Sequence, residues 1–594
     1  MKTPKLPTPP LPASGQQRAY WPPPASVSAQ ALALVNAARA HDGLVLAITR
    51  DTQGAHTLEA DLRVFAGDLP VLHFPDWETL PYDLFSPHAE IVSQRIAALY
   101  RLPSTRNGVL VVPVSTLMQR LPPTRYIAGN ALVVRQGQQM DMDAEKRRLE
   151  AAGYRNVAQV MDPGDFAVRG ALLDIFPMGT RTPYRIELFD NDVESIRSFD
   201  PDTQRSQDTV PAVDLLPARE VPLDDATTRR VRDLLLDRFE IDPRRCPIYQ
   251  DLREGTTPAG VEYYLPLFFS DEAGAPDTAT LFDYLGEHAL AVVDDGAFEA
   301  AEAFWAQTGE RYEQRRHDLE RPVLAPEELF LGPQALRERL NAVPRIEVCG
   351  PEHPKRVQAK ALGDQPAPAV PLTQKGDTPA AALKSFLDSY PGRVLLAADS
   401  PGRREALIEL LGADGIKPDT VDDWHAFLAD DTRRWAITVA PLENGFALTD
   451  PALCLLTERQ LYPERAGRGG GRRRAGRDPD SIIRDLSEIS EGAPIVHEDH
   501  GVGRYRGLVT LEAGGQASEF LEIEYAKGDK LYVPVAQLHL VSRYSGTSPE
   551  HAPLHSMGGE AWEKAKRRAA EKVRDVAAEL LEIQARRQAR GGLA

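Results

Sequence analysis

The sequence runs to 594 residues, too many for one core, and ordinary domain sizes suggest roughly four to six units. With 42% apolar and 26% charged residues it is a globular chain, and its net charge of -18 excludes an overall basic field that would draw the whole molecule to nucleic acid. Cys246, Cys349 and Cys454 lie far apart without a CxxC, which points to buried thiols in a reducing compartment; the absence of a signal-peptide core and of any apolar run near the ~18–20 residues of a membrane span predicts a cytoplasmic protein with no membrane contact.

Residues 1–25 carry many prolines and predict a flexible, extended tail. From 26 to 131 helical and apolar-strand patterns alternate. Ser28–Ala40 is Ala/Leu-rich at helical spacing, while Leu44–Ile48 (LVLAI) and Val109–Val114 (VLVVPV) are continuous apolar runs. Such runs predict a parallel sheet covered on both faces. Residues 132–217 change character. Short segments (LLDIFP, YRIELFDN, VESIRSFD) are punctuated by Gly, Pro and Asp, with a hairpin around Asp190-Asn191. This predicts an inserted α+β unit. Helical patterns return over 218–345, where Arg229–Phe239 is amphipathic and Leu290–Val293 reads as a strand. A further small α/β unit is predicted at 346–462, with strands at Val394–Ala397 and Ala436–Val439.

Residues 463–490 read as a basic linker. Its low-complexity run Arg465–Arg477, RAGRGGGRRRAGR, is either a solvated spacer or a nucleic-acid contact. At 491–545 the pattern is that of a small closed β-barrel of the SH3 or Tudor type. Leu521, Ile523 and Tyr525 alternate there with Glu522 and Glu524, so one face is buried and the other solvated. Over 546–594 a linker leads into a long C-terminal helix, Ala561–Arg590, with Ala569, Val573, Val576, Leu580 and Ile583 on one apolar stripe. The stripe has no evident partner, which hints at a missing C-terminal portion. The fold class expected is therefore multidomain α/β.

A doubly wound sheet would place its phosphate loop after Leu44–Ile48, but Thr49–His56 has one glycine, no lysine and an acidic residue. That loop is empty or degenerate. There is no GxxxxGK[ST], HExxH or GxSxG anywhere, so no catalytic or cofactor-binding residue is expected. No metal site is expected either, because four consecutive strand residues, His497 to His500, should alternate between opposite faces. Arg169, Arg185 and Phe189 have two readings: surface arginines paired with Glu187 or Asp174, or anchors of a protein interface. Leu511, after Val509-Thr510 and beside a glycine turn, is either core or part of an edge that pairs with a partner strand.

The motifs HFPDWETLPYDLFSPH, IVSQRIAAL, DFAVRGALLDIFPMG, PYRIELFDN, GVEYYLPLFF, HEDHGVGRYRGL, KLYVPVAQLHLVSRY and AWEKAKRRAAEKVRDVAAELLEIQA resemble those of the bacterial transcription-repair coupling factor, in the family's own order. The resemblance runs from about residue 26 to 594. It implies that 26–131 and 218–345 are the two parts of an excinuclease-B-like module and that 132–217 is the inserted domain that binds excinuclease A. It also implies that 491–545 contacts the RNA polymerase β subunit, and that the terminal helix leads toward a motor. By the same resemblance Arg169, Arg185 and Phe189 match the contact to excinuclease A, and Val509, Thr510 and Leu511 the contact to the polymerase. Family members continue with two RecA-like motor domains that use ATP and magnesium to move on duplex DNA. Those motifs are absent from this sequence, so the expectation is a monomeric adaptor in transcription-coupled nucleotide excision repair, without ATPase activity or bound cofactor. The alternative is a DNA-binding repair factor acting through the basic linker and the terminal helix.

Overall fold

The computed structural model describes residues 6–13, 16–201, 203–271, 274–353, 355–372, 378–462, 492–497, 500–513, 516–534, 541–543 and 554. The basic linker at 463–490 and the helix expected at Ala561–Arg590 lie outside the described residues. The chain divides into two compact units, 1–463 and 464–594. Among the described residues no helix is long and apolar enough to cross a membrane.

The first unit is organised by a six-stranded sheet in the order Arg18–Trp21, Arg345–Val348, Leu290–Val293, Leu44–Thr49, Gly108–Pro113, Val71–His73, with every neighbouring pair parallel. Its central strands are apolar on both faces because both faces are covered. Val45 and Ala47 enter one core with helices Val27–Ala40 and Thr52–Ala66, while Leu44, Leu46 and Ile48 enter a second with helix Ala89–Arg101. Ser26 and Asp51 cap the first two helices by accepting from Ala29 and Gly54 N–H, the usual way an orphan amide is satisfied.

The expected flexible tail at 1–25 is corrected in part. Arg18–Trp21 is a strand in register with Arg345–Val348, Trp21 is fully buried, and Leu6 and Leu11 lie against the core. Asn36 Nδ2 also donates to the Pro7 carbonyl at 2.9 Å. Proline favours extended backbone, and extended backbone can run along a surface as readily as through solvent; the apolar side chains between the prolines decide which.

Between Gly108–Pro113 and the return to the sheet at Leu290–Val293, the chain builds a second sheet. Its order is Ser206–Thr209, Asp192–Phe199, Tyr184–Phe189, Leu172–Ile175, Asp165–Arg169, Arg155–Asn156, antiparallel except for the last pair. Leu132–Arg135 and Ala212–Leu215 pair antiparallel, so the entry and exit of this insertion are zipped together. The hairpin expected at Asp190-Asn191 is present, with Asp190 at φ 54°, a left-handed position that Asp tolerates better than most residues.

Two attachments fix the insertion, the first of them buried. Arg95 Nε and Nη2 donate to the Glu220 carboxylate at 2.6 and 3.3 Å, and its Nη1 donates to the Pro75 carbonyl at 2.8 Å. The guanidinium lies over the Phe74 and Trp77 rings at 4.3 and 4.9 Å. Gly179 N–H donates to Ser93 Oγ at 2.7 Å, and a Cβ on Gly179 would stand 2.8 Å from that of Ala97; only glycine allows this approach.

A third sheet runs in the order Asp364–Pro366, Phe446–Leu448, Leu453–Thr457, Arg393–Ala398, Trp435–Val439, Asp419–Thr420. It shares one continuous core with the first sheet, centred on Phe65, whose ring stands edge-on to Trp424 at 5.1 Å and near Phe446 at 6.2 Å. In the second unit, described by itself, the sheet order is Lys530–Pro534, Gln516–Glu524, Gly501–Ala513, Pro494–His497, Val541–Arg543, all antiparallel. Leu521, Ile523 and Tyr525 are buried as their alternation predicts. Closure into a barrel is not among the pairings of the described residues.

Two outcomes are expected. Arg95→Met leaves a buried carboxylate unpaired and should cost about 3–5 kcal/mol in denaturant unfolding, whereas Arg95→Met/Glu220→Leu should recover most of that loss. Glu262 is buried against Ser86, whose Oγ donates to it at 2.8 Å, and burial pushes its carboxyl up to about 7 from 4.5. The folded chain thus keeps a proton that the unfolded chain loses. The stability this group contributes is full below pH 4.5 and declines until pH 7. Glu262→Gln should abolish that decline and raise stability at pH 8 by about 3 kcal/mol, read from unfolding midpoints at pH 5 and pH 8.

Candidate interaction surfaces

The inserted sheet has two chemically distinct faces. Its inner face presents Phe166, Leu173, Ile175, Ile186, Leu188, Val193 and Ile196 to a core that also contains Val92 and Ile96 of helix Ala89–Arg101. Side chains alternate along a strand, and cross-strand partners share a face. Arg185, Glu187 and Phe189 therefore line the outer face together. Asp174 stands opposite Arg185, Ala167 opposite Asp174, and Arg169 two residues on from Ala167. The structure thus brings Arg169, Arg185 and Phe189 onto one face.

Their environments differ. The Phe189 residue is 69% exposed. The Arg169 side chain is 52% exposed; it donates to the Ala158 carbonyl and lies 3.9 Å from Asp174 Oδ2. Arg185 is held more tightly, its side chain only 22% exposed. Its Nε and Nη2 donate to the two oxygens of the nearly buried Asp174 at 2.7 and 2.9 Å, and its guanidinium lies over Phe199 at 5.0 Å. The Asp174 hydrogen bond raises the pKa of this already cationic group further. The surface-pair reading is realised for Arg185 and, at longer range, for Arg169, whereas Phe189 projects into solvent. Arg197, opposite Arg185 on the neighbouring strand, is exposed and extends the cationic strip.

In the second unit, Val509, Thr510 and Leu511 stand opposite Phe520, Glu519 and Ser518 on the long strand Gly501–Ala513. Val509 is half-buried; the side chains of Thr510 and Leu511 lie outside the described residues. Strand Pro494–His497 covers the other edge of Gly501–Ala513 only as far as Arg504, with backbone hydrogen bonds continuing to Tyr505. Beyond Tyr505, among the described residues, no strand pairs with that edge. Among the described residues its backbone donors and acceptors there have no strand partner, the requirement for adding one from another chain.

At the loop after Leu44–Thr49, Asp51 Oδ1 accepts from Gly54 N–H at 2.7 Å, and Thr49 Oγ1 donates to the Asp51 carbonyl at 2.9 Å. A helix N-terminus in this place would otherwise favour a phosphate. Here its first turn faces a carboxylate of its own.

The reading that His497 and His500 point apart is corrected: their ring centroids are 4.9 Å apart. The strand ends at His497 and the next begins at Gly501, so strand alternation does not extend across the pair. A cluster that sequence reasoning missed lies on the first sheet, where His56, Glu59 and His73 converge. The i, i+3 spacing of His56 and Glu59 on one helix was the available signal; nothing in the sequence tied His73 to it.

Three segments match described families: residues 132–221 the UvrB interaction domain, 386–461 the MFD D3 domain, and 489–545 the CarD-like/TRCF RID domain. The chain is 44% identical over 559 residues to the transcription-repair-coupling factor of Escherichia coli, covering 94% of this chain and 48% of that protein. Its identity to the transcription-repair-coupling factor of Haemophilus influenzae is 42% over 569 residues, covering 95% and 49%, and to that of Myxococcus xanthus 32% over 598 residues, covering 93% and 48%. The chain spans about half the length of the curated relatives it matches.

Proposed function

Because this chain belongs to the transcription-repair-coupling factor family, we propose that it serves as the adaptor of transcription-coupled nucleotide excision repair. It docks on the β subunit of RNA polymerase stalled at a lesion, and it recruits the excision machinery by binding excinuclease A. The observation that carries this reading is the outer face of the inserted sheet, which exposed Phe189 shares with the partly exposed Arg169 and the anchored Arg185. An aromatic residue flanked by arginines, one already held in place, is the composition of an interface hot spot. Arg185 acts as the rigid floor of that patch and Phe189 as its anchor.

The polymerase contact uses the strand edge at Val509, Thr510 and Leu511, to which the β subunit contributes a further strand. The order of the second unit's sheet, with Val541–Arg543 lying beside Pro494–His497, supports an SH3/Tudor-like barrel as the platform for that edge. The adaptor role assigns this chain no ATP hydrolysis. The Asp51 carboxylate at the start of helix Thr52–Ala66 supports that assignment, since it repels the phosphate such a site would need.

Titration calorimetry against excinuclease A should show Phe189→Ala weakening binding at least about 30-fold with an unchanged melting temperature. Arg185→Ala should both weaken binding and lower the melting temperature, because it strips Asp174 of its bidentate partner. Equal affinity of Phe189→Ala and the unaltered chain would sink the interface. Separately, Leu511→Glu should abolish binding to the isolated polymerase β subunit while leaving excinuclease A binding intact; loss of both would mean general unfolding instead.

A further inference from the structure

Helix Thr52–Ala66 carries His56 and Glu59 one turn apart, and the edge strand Val71–His73 ends on His73 beside them. One ligand-capable atom from each of the three lies within 4.8 Å of the other two. The two imidazoles stand perpendicular with centroids 4.9 Å apart, and His73 Nδ1 is 2.8 Å from Glu59 Oε2. The His73 side chain is only 7% exposed, and its Nε2 is buried without a hydrogen-bond partner. Arg63 donates to Glu59 through Oε1 alone, which leaves Oε2 toward the histidine. Glu78 Oε1 is 4.0 Å from His56 Nε2. The side chains of His56, Glu59 and Glu78 keep 28%, 18% and 31% of their surface exposed, enough for an ion to enter.

We propose that His56, Glu59 and His73 bind a divalent cation of the zinc class, with Glu78 in reach of a fourth position. Two neutral imidazoles and a carboxylate are a borderline donor set, suited to zinc and poorly suited to magnesium or calcium, which prefer all-oxygen ligands. Glu59 and Glu78 together supply two negative charges, one of them shared with Arg63, for a dication to balance. Two ligands come from the helix and one from the sheet's edge strand, so the ion would clip the helix to that edge. This role is separate from both interaction surfaces. Without an ion the same residues form an ordinary His73–Glu59–Arg63 network, and the test must distinguish the two.

The chain, residues 1–594, is titrated with zinc chloride in competition with a chromogenic chelator at pH 7.5, and in parallel with cobalt chloride to follow visible absorption. The expected result is one equivalent of zinc withdrawn from the chelator, with intense tetrahedral-type cobalt bands. Both should weaken at least about tenfold in His56→Ala and in Glu59→Gln and persist in His497→Ala/His500→Ala. His56 is partly exposed and Glu59→Gln preserves shape, so at least one of these variants should keep the metal-free melting temperature of the parent; that variant is the one compared. No zinc withdrawn by the unaltered chain, or equal affinity in a variant that folds, would overturn the proposal.

Discussion

A guanidinium cannot be buried without partners, and those that Arg95 takes determine how the first unit is put together. It sits in helix Ala89–Arg101, whose Val92 and Ile96 enter the core of the inserted sheet and whose Ala98 and Leu99 enter the core of the parallel sheet. Its hydrogen bonds reach back to Pro75, in the loop before the helix, and forward to Glu220, just past the end of the insertion. Apolar contacts alone would let the helix shift between two cores by small repacking. A forked ion pair capped by a carbonyl has a single geometry. Buried pairs of this kind contribute little net stability against an apolar substitute, so the weight of Arg95 lies in position: it fixes where the insertion stands on the sheet that carries it.

That placement explains why the outer face of the insertion can tolerate its composition. The inner face secures the sheet, with Leu173, Ile186 and Ile196 each fully buried and each supplying roughly 1.5–3 kcal/mol. The outer face keeps a small buried cluster of its own, Val160, Ala167, Phe176 and Phe199, beside the Asp174 that Arg185 satisfies; Phe189 stands exposed outside it. A single exposed phenylalanine is ordinary on most surfaces. Here Phe189 is the last residue before a hairpin turn held by the left-handed Asp190, on the same strand face as a guanidinium held by Asp174 and lying over Phe199. An arginine already held in this way gives up little entropy when a partner arrives.

What could be read in the sequence divides along physical lines. Continuous apolar strands such as Leu44–Thr49 and the alternation at Leu521–Tyr525 were legible because burial and period are local properties. The hairpin at Asp190 was legible because turn chemistry is local too. Failures came where a local rule met a tertiary contact. The prolines before residue 25 suggested a loose tail, but Trp21 and Leu11 found a core built from residues hundreds of positions away. His497 and His500 point in opposite directions only if one unbroken strand carries both. Arg169, Arg185 and Phe189 could be named as residues of interest, but only the register of three strands puts them on one face. His73 joins His56 and Glu59 because parallel pairing sets its short strand beside the helix.

Helix Thr52–Ala66 brings these threads together. In a nucleotide-binding sheet its first turn would face a phosphate and would need to yield as the ligand comes and goes. Here Asp51 closes that turn, and the far end of the helix is committed to packing: Phe65 lies between Trp424 and Phe446 of the third sheet. Midway along it, buried Asp61 accepts from Ser28 Oγ at 2.6 Å and from Glu443 N–H at 3.3 Å, tying the helix to its neighbour and to the third sheet. A helix held at its start by its own cap, at its middle by a buried carboxylate and at its end by two aromatic rings cannot report on a ligand by moving. The same restraints make it a strut between two sheets, not a switch.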